Sequence, residues 1–288
     1  MNAHKFRSWL PGTLAGTGRR LPMNGSSRRV CLLVAAAILS NLLVAEVRAD
    51  LSDGLVAYWS FDEGSGAIAH DSSGNGNHGT ISGATWAQGV SGAALDFDGL
   101  DDCVEVPDHP PLRLSGTDFS ISAWLYLRTR DEDYADAIAA KRSDGSHNGW
   151  IWGTRGLRVP SETGKVMYQV SGGADPRVLS AGTVGLDAWH HVVLTYDYGT
   201  SSLDIYIDGA HDTSGSVWTP NAETNASLFI GRDSQSCKYC IDGILDDIRI
   251  YDCALTAQEV HSLYVSTPEP GSLMLLALGA ALLAARRS

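Results

Sequence analysis

Between residues 53 and 264 the apolar positions come in short runs, many alternating with polar ones, and Gly, Asp, Asn, Ser or Pro closes each run. Such runs predict strands: LVAYWSF (55–61), AALDF (93–97), CVEV (103–106), FSISAWLYL (119–127), KVMYQV (165–170), HHVVLTYD (190–197), LDIYI (203–207), SLFIG (227–231) and ILDDIRIY (244–251). In FSISAWLYL, Phe119, Ile121, Ala123, Leu125 and Leu127 are apolar while Ser120 and Ser122 alternate with them, as in a sheet with one buried face. Trp124 and Tyr126 share the serines' face, where a ring serves either as a sugar-stacking surface or as packing beneath a loop. One segment reads as helix. Thr256 and, three residues on, Glu259 form a capping box that opens a short turn through Val260, Leu263 and Tyr264. Many strands, one short C-terminal helix and no parallel-sheet alternation predict an all-β fold: an antiparallel two-sheet β-sandwich, or jelly roll.

Both chain ends stand apart from this core. Arg28-Arg29 runs into the apolar stretch 30–45, and Val47-Arg48-Ala49 then offers a small-residue cleavage site. The stretch is shorter than the ~20 residues a spanning helix needs, so residues 1–49 are expected to be a cleaved signal peptide. Starting at Met23 instead would give a signal of ordinary length. At the other end, Pro268-Glu269-Pro270 precedes an apolar run (273–285) and then Arg286-Arg287. These three parts, in this order at the terminus, resemble the PEP-CTERM sorting tail of Gram-negative bacteria. The resemblance implies recognition and cleavage by a membrane enzyme, exosortase. Thirteen apolar residues at ~1.5 Å each reach only about 20 Å, short of a ~30 Å hydrocarbon core, so a processed, transiently membrane-held tag fits better than a permanent anchor. The expected division is signal 1–49, jelly-roll domain 50–266 and sorting tail 267–288, which places the mature protein in the cell envelope or outside the cell.

Charge changes the picture of partners. Residues 50–267 carry 12 basic against 31 acidic side chains, a formal charge of −19. So acidic a domain repels phosphate backbones and anionic lipid, and nucleic acid is excluded as a partner. Many Asp stand beside Gly or Asn in loops, an oxygen-rich composition that suits hard cations or simply keeps loops solvated. With Cys31 in the signal, four cysteines remain in an oxidising compartment. Of three possible pairings, the expected one joins Cys237 to Cys240, which share a loop, and Cys103 to Cys253, each beside a strand. Zinc would need four gathered thiolates or imidazoles, and only one Cys-x-x-Cys is present.

Six successive blocks, GLVAYWSFDEGSG, HDSSGNGNHGTISGATW, GAALDFDGLDDCVEVP, FSISAWLYL, AWHHVVLTYD with LDIYIDG, and IDGILDDIRIYDCALTAQEV, resemble the laminin-G-like, concanavalin A-like jelly roll over residues 53–264. That superfamily includes sugar-binding modules, adhesion domains and the catalytic domains of some glucanases and lyases, so the fold leaves function open. Two positions depart from the pattern, Cys103 and Cys253. If the first and last strands pair, a bridge there would close a loop of about 150 residues, worth on the order of 4 to 5 kcal/mol by the chain-entropy model.

The resemblance also implies a calcium ion (Ca2+) tying the N-terminal segment to the last strand. Carried over by position, its ligands would be Asp62 after the opening strand, Asp71 and Asn77 flanking the Gly-rich turn, and Asp246 and Asp247 in the closing strand. Asp71 and Asn77 equally suit side-chain-to-backbone turns. Strand alternation groups Asp246 with Ile248 and Ile250, and Asp247 with Arg249 and Tyr251, so one of the two is expected to be a direct ligand. A glycosidase needs two carboxylates across a cleft; the Glu-x-Asp-x-(x)-Glu strand of laminarinase-like enzymes is missing, and no Glu alternates with Glu105. His190 and His191 are adjacent in a strand and point to opposite faces. Gly-x-Ser-x-Gly-like stretches lack a strand-to-helix elbow. The expected function is therefore a noncatalytic binding or adhesion module for glycan or exopolysaccharide, with Trp150, Trp152, Tyr168 and Trp218 as candidate sugar-stacking rings. The irregular stretch from Arg128 to Gly149 is expected to border the ligand face. The alternatives are a structural envelope or matrix protein and a polysaccharide-degrading jelly-roll enzyme.

Overall fold

The computed structural model describes residues 51–143, 149–171, 176–218, 225–234 and 238–266; the signal segment, the sorting tail and Cys237 lie outside them. In chain order the strands are β1 (Leu55–Trp59), β2 (Ile68–Ala69), β3 (Gly79–Ser82), β4 (Thr85–Gln88), β5 (Ala93–Asp98), β6 (Cys103–Val106), β7 (Phe119–Leu127) and β8 (Ala135–Arg142). There follow β9 (Gly149–Arg155), β10 (Val166–Ser171), β11 (Arg177–Leu179), β12 (Trp189–Asp197), β13 (Ser202–Ile207), β14 (Ala210–Ser216), β15 (Leu228–Ile230) and β16 (Asp242–Tyr251), then helix α1 (Ala257–Ser266). Sheet A has the order β14-β13-β12-β7-β16-β5-β4, with β1 also on β16; sheet B has β11-β10-β9-β8-β15-β6-β3-β2. Every pairing is antiparallel, the expected two-sheet jelly roll.

The alternation of β7 places Phe119, Ile121, Ala123, Leu125 and Leu127 in the core between the sheets. Val192 and Leu194 of β12 and Leu245, Ile248 and Ile250 of β16 join them. Facing them from sheet B, β9 and β10 turn Trp150, Trp152, Val166 and Tyr168 inward, all fully buried. Three of these, Trp150, Trp152 and Tyr168, are the rings expected to stack on sugar. Their alternation is real, but the face they share is the core, and none reaches solvent.

The registers give the sandwich two ends. Tyr251 pairs with Ser120 and Leu55 at one end, the rim, where residues 107–118, 198–201, 217–218, 225–227 and 252–256 lie. Asp242 pairs with Asp98 at the other, the base, beside the 99–102 turn. The first and last strands do pair, but Cys103 belongs to β6 in the other sheet and begins at the base, whereas Cys253 follows β16 at the rim. A ten-residue strand at about 3.3 Å per residue spans roughly 30 Å, so a Cys103–Cys253 bridge cannot form. No disulfide is present among the described residues.

The capping box forms as expected. Glu259 N–H donates to Thr256 Oγ1 and Thr256 N–H to Glu259 Oε2. Helix α1 then buries Val260 and Leu263 against Val193 and Tyr251 on the outer face of sheet A. Tyr264 stacks on Trp124 with ring centroids 5.5 Å apart. Trp124 is thus packed under the helix rather than open to a ligand.

Candidate functional site

The most unusual chemistry lies in β16. This strand pairs with β7 along one side, but on the other it changes partner midway: Asp242–Leu245 face β5, and Ile248–Tyr251 face β1. At the changeover a bulge interrupts the register with β7 between Asp246 and Arg249, and Asp247 takes a φ of 52°. The bulge breaks the alternation read from sequence. Leu245 and Ile248 both face the core, so Asp246 sits on the opposite face from Ile248 and Ile250.

Asp246 is fully buried. Its Oδ2 accepts hydrogen bonds from Val90 N–H (2.9 Å) and Ser91 N–H (3.3 Å), while Oδ1 is buried with no hydrogen-bond partner. Burial, and then the neighbouring Asp247, push this carboxyl up to about 8. The same 89–93 turn is gripped by Asp62, whose Oδ1 accepts from Ala93 N–H at 3.1 Å. A Cβ at Gly89 would collide with Asp246 and one at Gly92 with Asp62, and Gly92 has a φ of 69°, so glycine is required for the turn to come this close. Two carboxylates around a turn, one with an orphaned buried oxygen, fit a hard cation with oxygen ligands.

The other expected ligands are engaged elsewhere. Asp247 accepts the Tyr58 hydroxyl (2.5 Å) and Arg249 (3.1 Å). Asp71 Oδ1 takes the amides of Tyr58 and Ser73, and Oδ2 that of Asn77, all within 3.0 Å. Burial alone would raise this carboxyl, but the hydrogen bonds from Ser73, Tyr58 and Asn77 outweigh it and hold it below its ordinary value. Asn77 donates to Val56 O at 2.9 Å. Asp71 and Asn77 therefore stitch the Gly-rich turn to β1, and the structure does not bring them together with Asp246.

Of the four aromatic candidates only Trp218 is open to solvent, at 62 % exposure. It follows β14 at the rim, where Val217 N–H reaches Ser201 O (3.4 Å) and Tyr196 OH reaches Val217 O (3.2 Å). These bonds set Trp218 beside the 198–201 turn, whose Tyr198 is 51 % exposed and donates its N–H to Asp118 at 2.8 Å. Tyr198 had no place among the sequence candidates; its position just past an inward-facing Tyr196, at the end of a strand, is the signal that would have found it.

A matching family model covers residues 97–261, more than half of the chain: the concanavalin A-like lectin/glucanases superfamily, laminin-G type. The chain belongs to this superfamily. Residues 266–288 match the PEP-CTERM protein-sorting motif, which marks an exported, envelope-associated protein. No curated protein sequence matches the chain. Among solved structures with this fold is domain 4 of AbnA, a GH43 extracellular arabinanase from Geobacillus stearothermophilus, in complex with arabinotriose. It has a TM-score of 0.57 at 23 % identity, covering 73 % of this chain and 98 % of that one. The binding domain of Paraclostridial Mosquitocidal Protein 1 has a TM-score of 0.60 at 18 % identity, over 75 % of this chain and 53 % of that one. A Trypanosoma rangeli sialidase has a TM-score of 0.55 at 16 % identity, over 74 % of this chain but 32 % of its own. At these identities the likeness establishes the shared superfamily fold.

One buried group makes that fold sensitive to acid. His191, on the outer face of sheet A, pairs Nε2 with Ser122 Oγ at 2.9 Å and lies against Trp124, with centroids 5.0 Å apart. Its Nδ1 is buried without a partner. Burial first, and Arg249 second, push the imidazole down to about 3. A histidine held neutral in the folded state loses stability as pH falls from its unfolded value near 6.5 towards 3, because only the unfolded chain takes up the proton. The expected slope is about 1.4 kcal/mol per pH unit in that window. Because the raised Asp246 carboxyl contributes a slope of opposite sign over the same range, the difference in urea stability between the unaltered protein and His191→Gln isolates it: from pH 6.5 to 4 that difference should move by about 1.4 kcal/mol per unit in the variant's favour, and a difference independent of pH would exclude His191 as the source.

Proposed function

We propose that the domain is a noncatalytic binding module of the cell envelope, recognising glycan at its rim and stabilised by calcium at the β16 bulge. The observation that carries the glycan reading is Trp218, an exposed indole next to Val217, whose backbone is tied to the 198–201 turn that carries a second exposed ring, Tyr198. Aromatic rings open to solvent can pack against the C–H face of a sugar. The arabinotriose complex of the AbnA domain and the binding domain of the mosquitocidal protein, which share the fold, support a binding role.

A noncatalytic reading is supported by where the raised carboxyls lie. Asp136, held up at about 6 mainly by burial, is in β8 against Thr154 and Arg130. Asp246 is in β16 of the other sheet. Both are buried, and they do not face one another across an open cleft as an acid and its partner must. Calcium, when bound, would supply a positive charge to the Asp246 carboxylate; Asp246 and Asp62 would hold it, with carbonyls of the glycine turn completing the oxygen set. Residues 1–49 serve as the export signal on this reading, and the PEP-CTERM motif is the substrate of an exosortase-type enzyme.

The test is binding of the purified chain, with calcium, to a panel of immobilised polysaccharides. Trp218→Ala is expected to lower affinity at least tenfold on a bound polymer while leaving the melting temperature within about 1 °C, since an exposed side chain contributes little to stability. Uniform silence across the panel would sink the glycan reading.

A further inference from the structure

We infer that the rim site takes an amine-bearing, positively charged polysaccharide laid across the ends of β14, β13, β12 and β7; this rests on the glycan-binding reading above. The registers line up what those strand ends present. Ser216 pairs with Ser202 and Ser202 with Asp197, while Tyr196 pairs with Phe119, so Asp118 stands next in line beside Asp197. Phe119, Tyr196 and Leu203 point into the core, and alternation turns their neighbours Asp118, Asp197 and Ser202 outward. Val217 is likewise in the core, and Trp218 beyond it is open to solvent. Hydrogen bonds join the row. Tyr198 N–H donates to Asp118 Oδ1 and Thr200 N–H to Asp197 Oδ1, both at 2.8 Å, and the Ser216 hydroxyl donates to Ser201 O at 3.0 Å. Two exposed rings and two exposed carboxylates thus share one edge of sheet A.

Like charges on facing strand positions repel, and Asp118 and Asp197 are such a pair. The two cations that approach the rim do not offset them: Arg113 and Lys141 are both closed onto Asp108, at 2.5 and 2.6 Å. An ammonium group on the ligand would. Carboxylates form charge-assisted hydrogen bonds with it, and an aromatic face attracts a cation as well as the C–H face of a sugar. An amino sugar uses all of these features at once. The wider field acts in the same direction, because a formal charge of −19 over residues 50–267 draws a polycation and repels a polymer of uronate or sulfate groups. Since both carboxylates are exposed, salt screens the attraction, with a Debye length that falls from about 10 Å at 0.1 M to about 3 Å at 1 M.

Two probes that share a backbone and differ in charge decide the matter: a β-1,4-linked glucosamine hexamer and its fully N-acetylated counterpart, each titrated near pH 6 into the full chain purified in detergent. The glucosamine hexamer is expected to bind at least tenfold more tightly at low salt, and that preference should shrink to about twofold in 1 M salt. Asp118→Asn and Asp197→Asn keep an acceptor for the Tyr198 and Thr200 amides, so melting temperatures should hold. Each should cut the preference about threefold, whereas Glu132→Gln, an exposed acid at the base, should not alter it. If an Asn variant fails to fold, the preference of the unaltered chain against that of Trp218→Ala decides, since binding at the rim loses it and diffuse attraction to an acidic surface does not. Equal affinity for the two hexamers, or a preference that Glu132→Gln weakens as much as Asp118→Asn, overturns the amine inference. So does silence on both hexamers, and a polymer bound in the panel through Trp218 would then leave the glycan reading standing. Silence on the hexamers and the panel alike overturns both.

Discussion

Replacing Asp246 by Asn is expected to stabilise the calcium-free protein and to abolish its response to calcium. In the unfolded chain this carboxyl ionises near 4, but in the fold it is pushed up to about 8 by burial and by Asp247. A carboxyl raised in this way keeps its proton in the folded state, so stability is lost as pH rises from about 4 to about 8. At pH 7 that amounts to roughly 4 kcal/mol, from about three units at about 1.4 kcal/mol each. An amide keeps the acceptor for Val90 and Ser91 and removes the ionisation, but leaves an N–H where the orphaned oxygen stood, so a net gain on the order of 2 kcal/mol is expected. In a domain of this size that is roughly 4 to 8 °C. Calcium at a hundredfold excess over its Kd should add about 2.7 kcal/mol to the unaltered protein and nothing to the variant. Thermal melts at pH 7 with calcium and then with chelator measure both. A calcium-free variant less stable than the parent would refute the account of the buried carboxyl, and an unaltered protein indifferent to calcium would withdraw the cation.

Trp152→Ala is expected to cost about 3 to 5 kcal/mol of stability and to leave binding per folded molecule unchanged. The indole is fully buried between the sheets, beside Trp150 and Tyr168, and its removal opens a cavity that two facing sheets cannot readily close. Urea unfolding gives the first quantity, and polysaccharide binding corrected for the folded fraction gives the second. Lost binding with an unchanged urea midpoint would restore Trp152 as a ligand residue.

That contrast marks where the sequence was informative. Alternation in β7 identified the core face because large apolar residues take turns with serines. The capping box located the helix to the residue, since its chemistry is local. The strand β8 was hidden. Ala-Asp-Ala-Ile-Ala-Ala-Lys-Arg looks like a solvated loop, yet it is buried along its length. Its cations can be buried because Lys141 bonds Asp108 at 2.6 Å and Arg142 closes on Asp233, partners 33 and 91 residues away. Once β8 was missed, its neighbour β9 had no sheet to lie in, and its tryptophans read as exposed. The acids of the closing strand were legible by type, but a bulge changes facing without changing composition, so the partnering of Asp246 was not.

The packing of α1 bears on how the protein carries load. The helix begins at the rim after β16 and lays Tyr264 against Gly209 in the hairpin at the base, so the chain that continues into the sorting motif leaves the sandwich far from Trp218. A pull between a polymer held at the rim and a membrane holding the tail would therefore run along the strands. Antiparallel hydrogen bonds lie across that direction, and the ladders of β16 with β7 and β1 would be strained together instead of opening one rung at a time. Once the helix peels away, the loading point moves back to Tyr251 at the rim, so the packing of Val260 and Leu263 on sheet A is what would keep such a pull directed along the strands.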